Sequence, residues 1–180
     1  MVVTDNNKIA ERARELKDLG FLKERRYLHR TVGFNYRMTN IQAAIGLAQL
    51  ERIKDLAEKR RRNAALYNRY LRGLEGVVLP AQRPWAKNCY WMYSLLAEKV
   101  DRERLRLLLK RQGIDTRAFF IPMHRQPVFL KLGLFRKERY PVSEYISARG
   151  LYLPSSPSLS ERQIRYIAGA LKKSIARLSG

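Results

Sequence analysis

With 180 residues, 46% of them hydrophobic, the chain is long enough for one ordinary domain or parts of two, and too apolar to be a disordered protein. Its one cysteine, Cys89, cannot form an internal disulfide, and with only His29 and His124 beside it no ligand set is spaced for structural zinc, so a cytosolic, metal-free protein is expected. The 37 Lys and Arg against 16 Asp and Glu leave a net charge of +21, which attracts polyanions, although the basic residues are spread over several segments as solvated helix faces would be.

The opening residues have no apolar core of signal-peptide length, and nothing approaches the roughly 18 to 20 uncharged residues of a membrane span. A soluble protein with no membrane partner is expected. Val2 and Val3 predict the end of a short buried strand, and Thr4-Asp5-Asn6 the cap of a helix over about residues 6–19 that stops at Gly20. Residues 21–38 lack a helical period and hold a dense basic and aromatic set, Lys23, Arg25, Arg26, Tyr27, His29, Arg30, Phe34, Tyr36 and Arg37. This is the composition of a binding loop. Thr39, three residues before Gln42, has the spacing of a capping box and opens a helix to about residue 73. Its first half, IQAAIGLAQL, is apolar nearly all round and predicts cover on more than one side by other parts of the fold or a partner. Its second half is amphipathic, with Ala64, Tyr67, Leu71 and Leu74 on one face and Lys59 to Arg62 toward water. A helix of that length is more natural as a spine joining two domains, and Gly73 and Gly76 close it.

Beyond a linker holding Pro80 and Pro84, strands and helices alternate. Tyr90 to Ala97 predicts a strand; Asp101 caps a helix through Lys110 that Gly113 terminates; IDTRAFF, residues 114–120, predicts a second strand. Ser143 starts a short helix to Arg149, and Ser160 with Gln163 repeats the capping-box spacing for a last helix to about Leu178. The sum is a compact α/β domain of about 95 residues.

Two constellations carry chemistry. Asn35 and Arg37 alternate with Phe34 and Tyr36, so in an extended segment the amide and guanidinium face one way, toward an anion, and the rings the other. The alternative is that Asn35 satisfies backbone groups ahead of the helix and Arg37 pairs with a carboxylate. TRAFFIPMHRQP, from Thr116 to Pro127, sets Arg117, Phe119, Phe120 and His124 just past a strand end, where a histidine could meet a sugar hydroxyl or phosphate and the rings a planar or apolar ligand part. The alternative there is that both phenylalanines are core and His124 bonds backbone. No Ser-His-acid set, glycine-rich phosphate loop or glycosidase-like carboxylate pair is spaced for catalysis.

GFNYRMTNIQAAIGLAQLERI, from Gly33 to Ile53, resembles the signature block of the DegT/DnrJ/StrS sugar aminotransferases, fold type I pyridoxal-phosphate enzymes that aminate keto sugars carried on nucleotides. MVVTDNNKIAERARELKDLG resembles the segment after their cofactor-binding lysine. WMYSLL, GIDTRAFFIPMHRQP and GLYLPSSPSLSERQI resemble their C-terminal domain, the last two most closely in the perosamine-synthase subgroup. The resemblance implies the C-terminal part of that α/β fold, with residues 1–38 a remnant of the large cofactor-binding domain, 39–76 a long connecting helix and 77–180 the small C-terminal domain. By similarity, Asn35 reaches the cofactor phosphate of a neighbouring subunit, with Arg37 in support. Arg26, Tyr27 and His29 approach the nucleotide-sugar, and Phe120 and His124 line the sugar pocket.

The resemblance further implies a homodimer using pyridoxal phosphate to move an amino group from glutamate to a keto sugar such as GDP-4-keto-6-deoxymannose. The family's cofactor lysine, its acidic partner for the pyridine nitrogen and its stacking aromatic match nothing here, and neither Lys8 nor Lys23 replaces the lysine. The chain is therefore expected to be a C-terminal portion, inactive by itself, without a catalytic residue of its own. The rival reading is a basic, non-enzymatic module for nucleic acid, which requires basic groups converging on one face and salt-sensitive binding.

Overall fold

Asn6 caps helix α1 (Asn7–Lys17), its side-chain oxygen accepting from the N–H groups of Lys8 and Ile9. The computed structural model describes residues 2–22 and 24–179 and divides into two units, Met1–Arg52 and Ile53–Gly180. Lys23, one member of the basic loop set, lies outside the described residues.

In the first unit the expected strand at Val2 and Val3 does not form, and both side chains are exposed. Two β-branched residues make a strand only against a partner ladder, and the described residues of this unit supply none. After α1, Leu19 and Gly20 take left-handed backbone angles, φ 63° and 72°, and the chain turns back on the helix end. Phe34 N–H donates to Leu16 O at 2.6 Å, Leu19 N–H to Phe34 O at 3.0 Å and Tyr36 N–H to Lys17 O at 2.9 Å. Gly20 and Gly33 stand back to back: a Cβ on Gly33 would run into the Gly20 backbone, and one on Gly20 into Thr31 O. Only glycine permits that approach.

Helix α2 (Asn40–Glu51) opens with the expected capping box, Thr39 Oγ1 accepting from Gln42 N–H at 3.2 Å and Gln42 Oε1 from Thr39 N–H at 2.9 Å. The single helix expected over 40–73 is two. Arg52 sits at φ −100°, ψ 4°, its N–H turns back to Gln49 O, and helix α3 (Ile53–Leu71) begins at the next residue. Neither proline nor glycine marks the break, so no local signal predicts it. The described residues do not supply the cover expected for the apolar start of this helix: Ile41, Ile45, Leu47 and Leu50 are all exposed on the single chain.

The second unit is built on an antiparallel sheet whose spatial order is β1 (Val77–Val78), β2 (Tyr93–Ala97), β4 (Gly150–Leu153), β3 (Arg117–Ala118). Both expected strands are shorter than the apolar runs that announced them. Tyr90 takes a left-handed φ of 48° and its N–H bonds Asn88 Oδ1, which delays β2 to Tyr93. Pairing of Tyr93 with Leu153 and Leu95 with Leu151 puts all four on one face. That face is core, with α3, α4 (Arg102–Arg111) and α7 (Glu161–Ser179) supplying Tyr67, Leu71, Leu105, Leu109, Ile164 and Leu171. Asp101 caps α4 and the Ser160/Gln163 capping box precedes α7, as expected. Tyr67 and Tyr93 stack at 4.6 Å, and their hydroxyls donate to Pro154 O and Asn68 Oδ1. Burial, then a neighbouring tyrosine, pushes both phenols well above their ordinary pKa, so they remain neutral donors.

The opposite face of the sheet carries Gly150 and Tyr152. The Phe119 ring lies where a Cβ of residue 150 would be, so Gly150 is what lets it lie flat on β4. Short helices α5 (Pro127–Lys131) and α6 (Pro141–Arg149) follow β3, the latter starting at Pro141 rather than Ser143 because proline suits a first helical turn. Gly150→Ala is expected to lower stability by about 1–3 kcal/mol in urea denaturation. Adding Phe119→Ala should recover part of that loss instead of deepening it, as a clash between the two positions requires.

Candidate functional site

Alternation along β4 places Tyr152 opposite the core, where the Phe119 ring stacks on it at 4.3 Å and Phe120 stands 6.4 Å from it. A 3-10 turn, Met123–Arg125, then brings His124 back beside these rings. His124 is 6% exposed, and its Nε2 lies 2.8 Å from Glu144 Oε1 in the first turn of α6. A carboxylate only accepts, so Nε2 carries the hydrogen. Glu144 also accepts from Tyr140 N–H at 3.4 Å and pairs with Arg125 at 3.4 Å. The His124 hydrogen bond, and after it the Tyr140 N–H, hold the Glu144 carboxyl below its ordinary pKa.

Phe119, Phe120, His124, Phe135, Tyr140 and Tyr152 line a cavity of about 580 Å³. The pairing of Phe120 with His124 expected from the sequence is thus present, and neither bland alternative holds. Phe120 is 63% exposed rather than core, and the partner of His124 is a carboxylate rather than backbone. Glu144, Tyr140 and Tyr152 escaped the sequence reading. Alternation in GLYL was the available signal for Tyr152, whereas nothing local links Glu144 to a histidine 20 residues earlier.

In the first unit, the return of the loop along α1 sets Asn35 against Asp18 in an isolated antiparallel bridge. Arg37 Nε donates to Asn35 Oδ1 at 3.2 Å and lies 3.4 Å from Asp18 Oδ1. Phe34 and Tyr36 stack on each other at 5.4 Å, so the expected alternation of polar and aromatic side chains is present. Arg37 does pair with a carboxylate, as the plainer reading had it. Among the described residues the partner of the Asn35 side chain is Arg37 rather than a backbone group ahead of the helix.

Arg26, Tyr27 and His29 gather around Phe21. The Arg26 guanidinium is 6.0 Å from the Phe21 ring and 5.6 Å from Tyr27, while Phe21 meets His29 at 4.8 Å. His29 Nδ1 donates to Leu19 O at 2.8 Å. Arg26, Arg30 and Arg37 from the loop, with Lys8, Arg12, Arg14 and Lys17 from α1, line a cleft of about 1030 Å³ in which Glu11, Glu15, Asp18 and Glu24 are interspersed. The excess of cations suits an anionic ligand. Among the described residues no group of His, Cys, Asp and Glu is arranged to hold a metal ion, and no helix is long and apolar enough to cross a membrane.

The described residues of this mixed α/β chain thus set an amide and a guanidinium together on one loop beside a basic cleft, and an aromatic cavity in the other unit. The DegT/DnrJ/EryC1/StrS aminotransferase family matches residues 1–172, and the chain belongs to that family. It is 37% identical over 174 residues to the GDP-perosamine synthase of Escherichia coli O157:H7, covering 96% of this chain and 46% of the relative. To the GDP-perosamine synthase of Vibrio cholerae it is 35% identical over 175 residues, again 96% of this chain, and 47% of the relative. Among solved structures, S. venezuelae DesV in complex with a ketimine intermediate superposes with a TM-score of 0.83 at 29% identity, over 96% of this chain and 46% of that one. The chain spans about half the length of the curated relatives it matches, and its fold is that of a C-terminal part of such enzymes. These matches lend no support to a nucleic-acid-binding module.

Because the Glu144 carboxyl is held low in the folded chain, its contribution to stability is full above the ordinary carboxylate value of about 4.3 and is lost as pH falls through its lowered value. Urea midpoints taken from about pH 7 down to about pH 3 should show wild type and Glu144→Gln separated at neutral pH and converging in acid.

Proposed function

We propose that these 180 residues are the C-terminal portion of a cytoplasmic, homodimeric, pyridoxal-phosphate-dependent aminotransferase that moves an amino group from glutamate to a GDP-linked 4-keto-6-deoxy sugar. The carrying observation is the 37% identity to a GDP-perosamine synthase across 96% of the chain. Pyridoxal phosphate, when bound, supplies the electron sink for amine transfer. The residues present fit its phosphate end. Asn35 Oδ1 is taken up by Arg37, which leaves the Asn35 Nδ2 hydrogens to donate, and Arg37 brings a guanidinium whose charge Asp18 partly offsets. The set offers the donors that a phosphate oxygen accepts from.

Arg26 would meet the diphosphate of the nucleotide-sugar, with Tyr27 and His29 beside it holding the neighbouring groups. Phe120 and His124 would take the sugar ring, keeping its C–H face on aromatic carbon and a hydroxyl on the imidazole. The reacting lysine is not assigned to any position in this chain.

Joining these residues to the N-terminal half of the E. coli GDP-perosamine synthase should give an enzyme that aminates GDP-4-keto-6-deoxymannose with glutamate as donor. In that chimera Asn35→Ala is expected to lower activity about ten- to a hundredfold, the scale of one charge-assisted hydrogen bond. A folded, cofactor-loaded chimera that aminates no GDP-linked keto sugar would refute the reading. Incubated alone with pyridoxal phosphate and then borohydride, the 180-residue chain should show no stoichiometric phosphopyridoxyl-lysine by mass spectrometry.

A further inference from the structure

We propose that Glu144 is a positioning residue, which fixes His124 in the Nε2–H form so that its Nδ1 accepts a hydrogen bond from a ring hydroxyl of a 6-deoxy sugar in the aromatic cavity. The assignment rests on the reading of this cavity as the sugar site. Its first support is the direction of the hydrogen bond. Glu144 Oε1 has lone pairs only, so the 2.8 Å contact places a hydrogen on His124 Nε2, and in the neutral ring Nδ1 is then an acceptor.

The second support is where Nδ1 lies. Among the described residues it has no protein partner, and the only fully buried side-chain nitrogen or oxygen without one is Arg106 Nε. His124 Nδ1 is therefore not fully buried, and the residue, 6% exposed as a whole, lines the cavity. The ring is gripped on one nitrogen and offers the other.

The cavity wall selects the ligand class. No Lys or Arg lines it, so it does not suit a phosphate. Phe119, Phe120 and Tyr152 offer ring faces and edges suited to the C–H face and exocyclic methyl of a deoxy sugar, and the imidazole, with the Ser143 and Ser147 hydroxyls also on the wall, offers polar partners to its hydroxyls. A tautomer held the other way would present a donor at Nδ1 and would reward a carbonyl instead. Glu144 thereby decides whether the pocket favours hydroxyl or ketone at the position facing His124.

The test is a 15N-edited NMR measurement of both histidine rings in the full 180-residue chain near neutral pH. His29 is an internal reference, since its Nδ1 donates to Leu19 O and its ring should hold the opposite form. Wild type and Glu144→Gln, whose amide oxygen still accepts, should show His124 with the hydrogen on Nε2, and Glu144→Ala a mixture of the two forms. Titration with methyl 6-deoxy-α-D-mannopyranoside should move the His124 Nδ1 signal and leave that of His29 in place. Affinity should fall about tenfold in Glu144→Ala and be retained in Glu144→Gln. A wild-type His124 with its hydrogen on Nδ1, or a form unchanged by Glu144→Ala, overturns the positioning role. The expected form with an Nδ1 signal unmoved at saturating sugar overturns the acceptor assignment through the failure of the sugar-site reading, a result distinct from the other two.

Discussion

The pleat of a four-residue strand sets the arrangement of the larger unit. Within β4, Leu151 and Leu153 must face one way and Gly150 and Tyr152 the other. Pairing with β2 carries the first pair into the core opposite Leu95 and Tyr93, and the same register gives Tyr152 to the aromatic cavity and Gly150 to the Phe119 ring. A slip of one residue would exchange the two sets, putting a glycine and a tyrosine where aliphatic packing is needed. Core and cavity face are thus specified together, and the hydrophobic cost of misplacing two leucines protects the placement of the Tyr152 ring.

The two units keep their shape by different means. In Ile53–Gly180, buried apolar side chains from three helices close on the sheet. In Met1–Arg52, Gly20 is the one buried residue among those described, and the loop is held by backbone hydrogen bonds to the end of α1 and by the contact of two glycines. A unit with so little buried apolar surface opens at low energetic cost. That suits groups such as Asn35, Arg37 and Arg26, whose side chains are exposed and polar and whose reach depends on the course of the main chain.

Much of this was legible in the residues. Helix starts were the clearest, because capping needs particular side chains at fixed offsets, and Asn6, Thr39, Asp101 and Ser160 all cap as read. Strand limits were less so. An apolar run signals burial without saying how much of it joins a ladder, so Tyr90 to Ala97 and the run from Ile114 to Phe120 shortened to five and two residues, while β1 and β4 went unread. The break at Arg52 had no local cause to see. In the candidate site, the proximities visible in the sequence were those between near neighbours, namely Asn35 with Arg37, the Arg26 to His29 set, and Phe120 with His124. Glu144 was not, because its relation to His124 exists only after the chain has passed through two short helices.

The back-to-back glycines at positions 20 and 33 also bear on how such a chain can diverge. They lock the neck of the loop, while Arg26 and Tyr27 between them project from it, exposed. Exchanges at the tip cost little folding energy, whereas a side chain at either neck position would pry the loop from its helix. Variation is channelled outward: selection is free to rewrite what the loop touches, but has to leave its anchorage alone or change both sides at once.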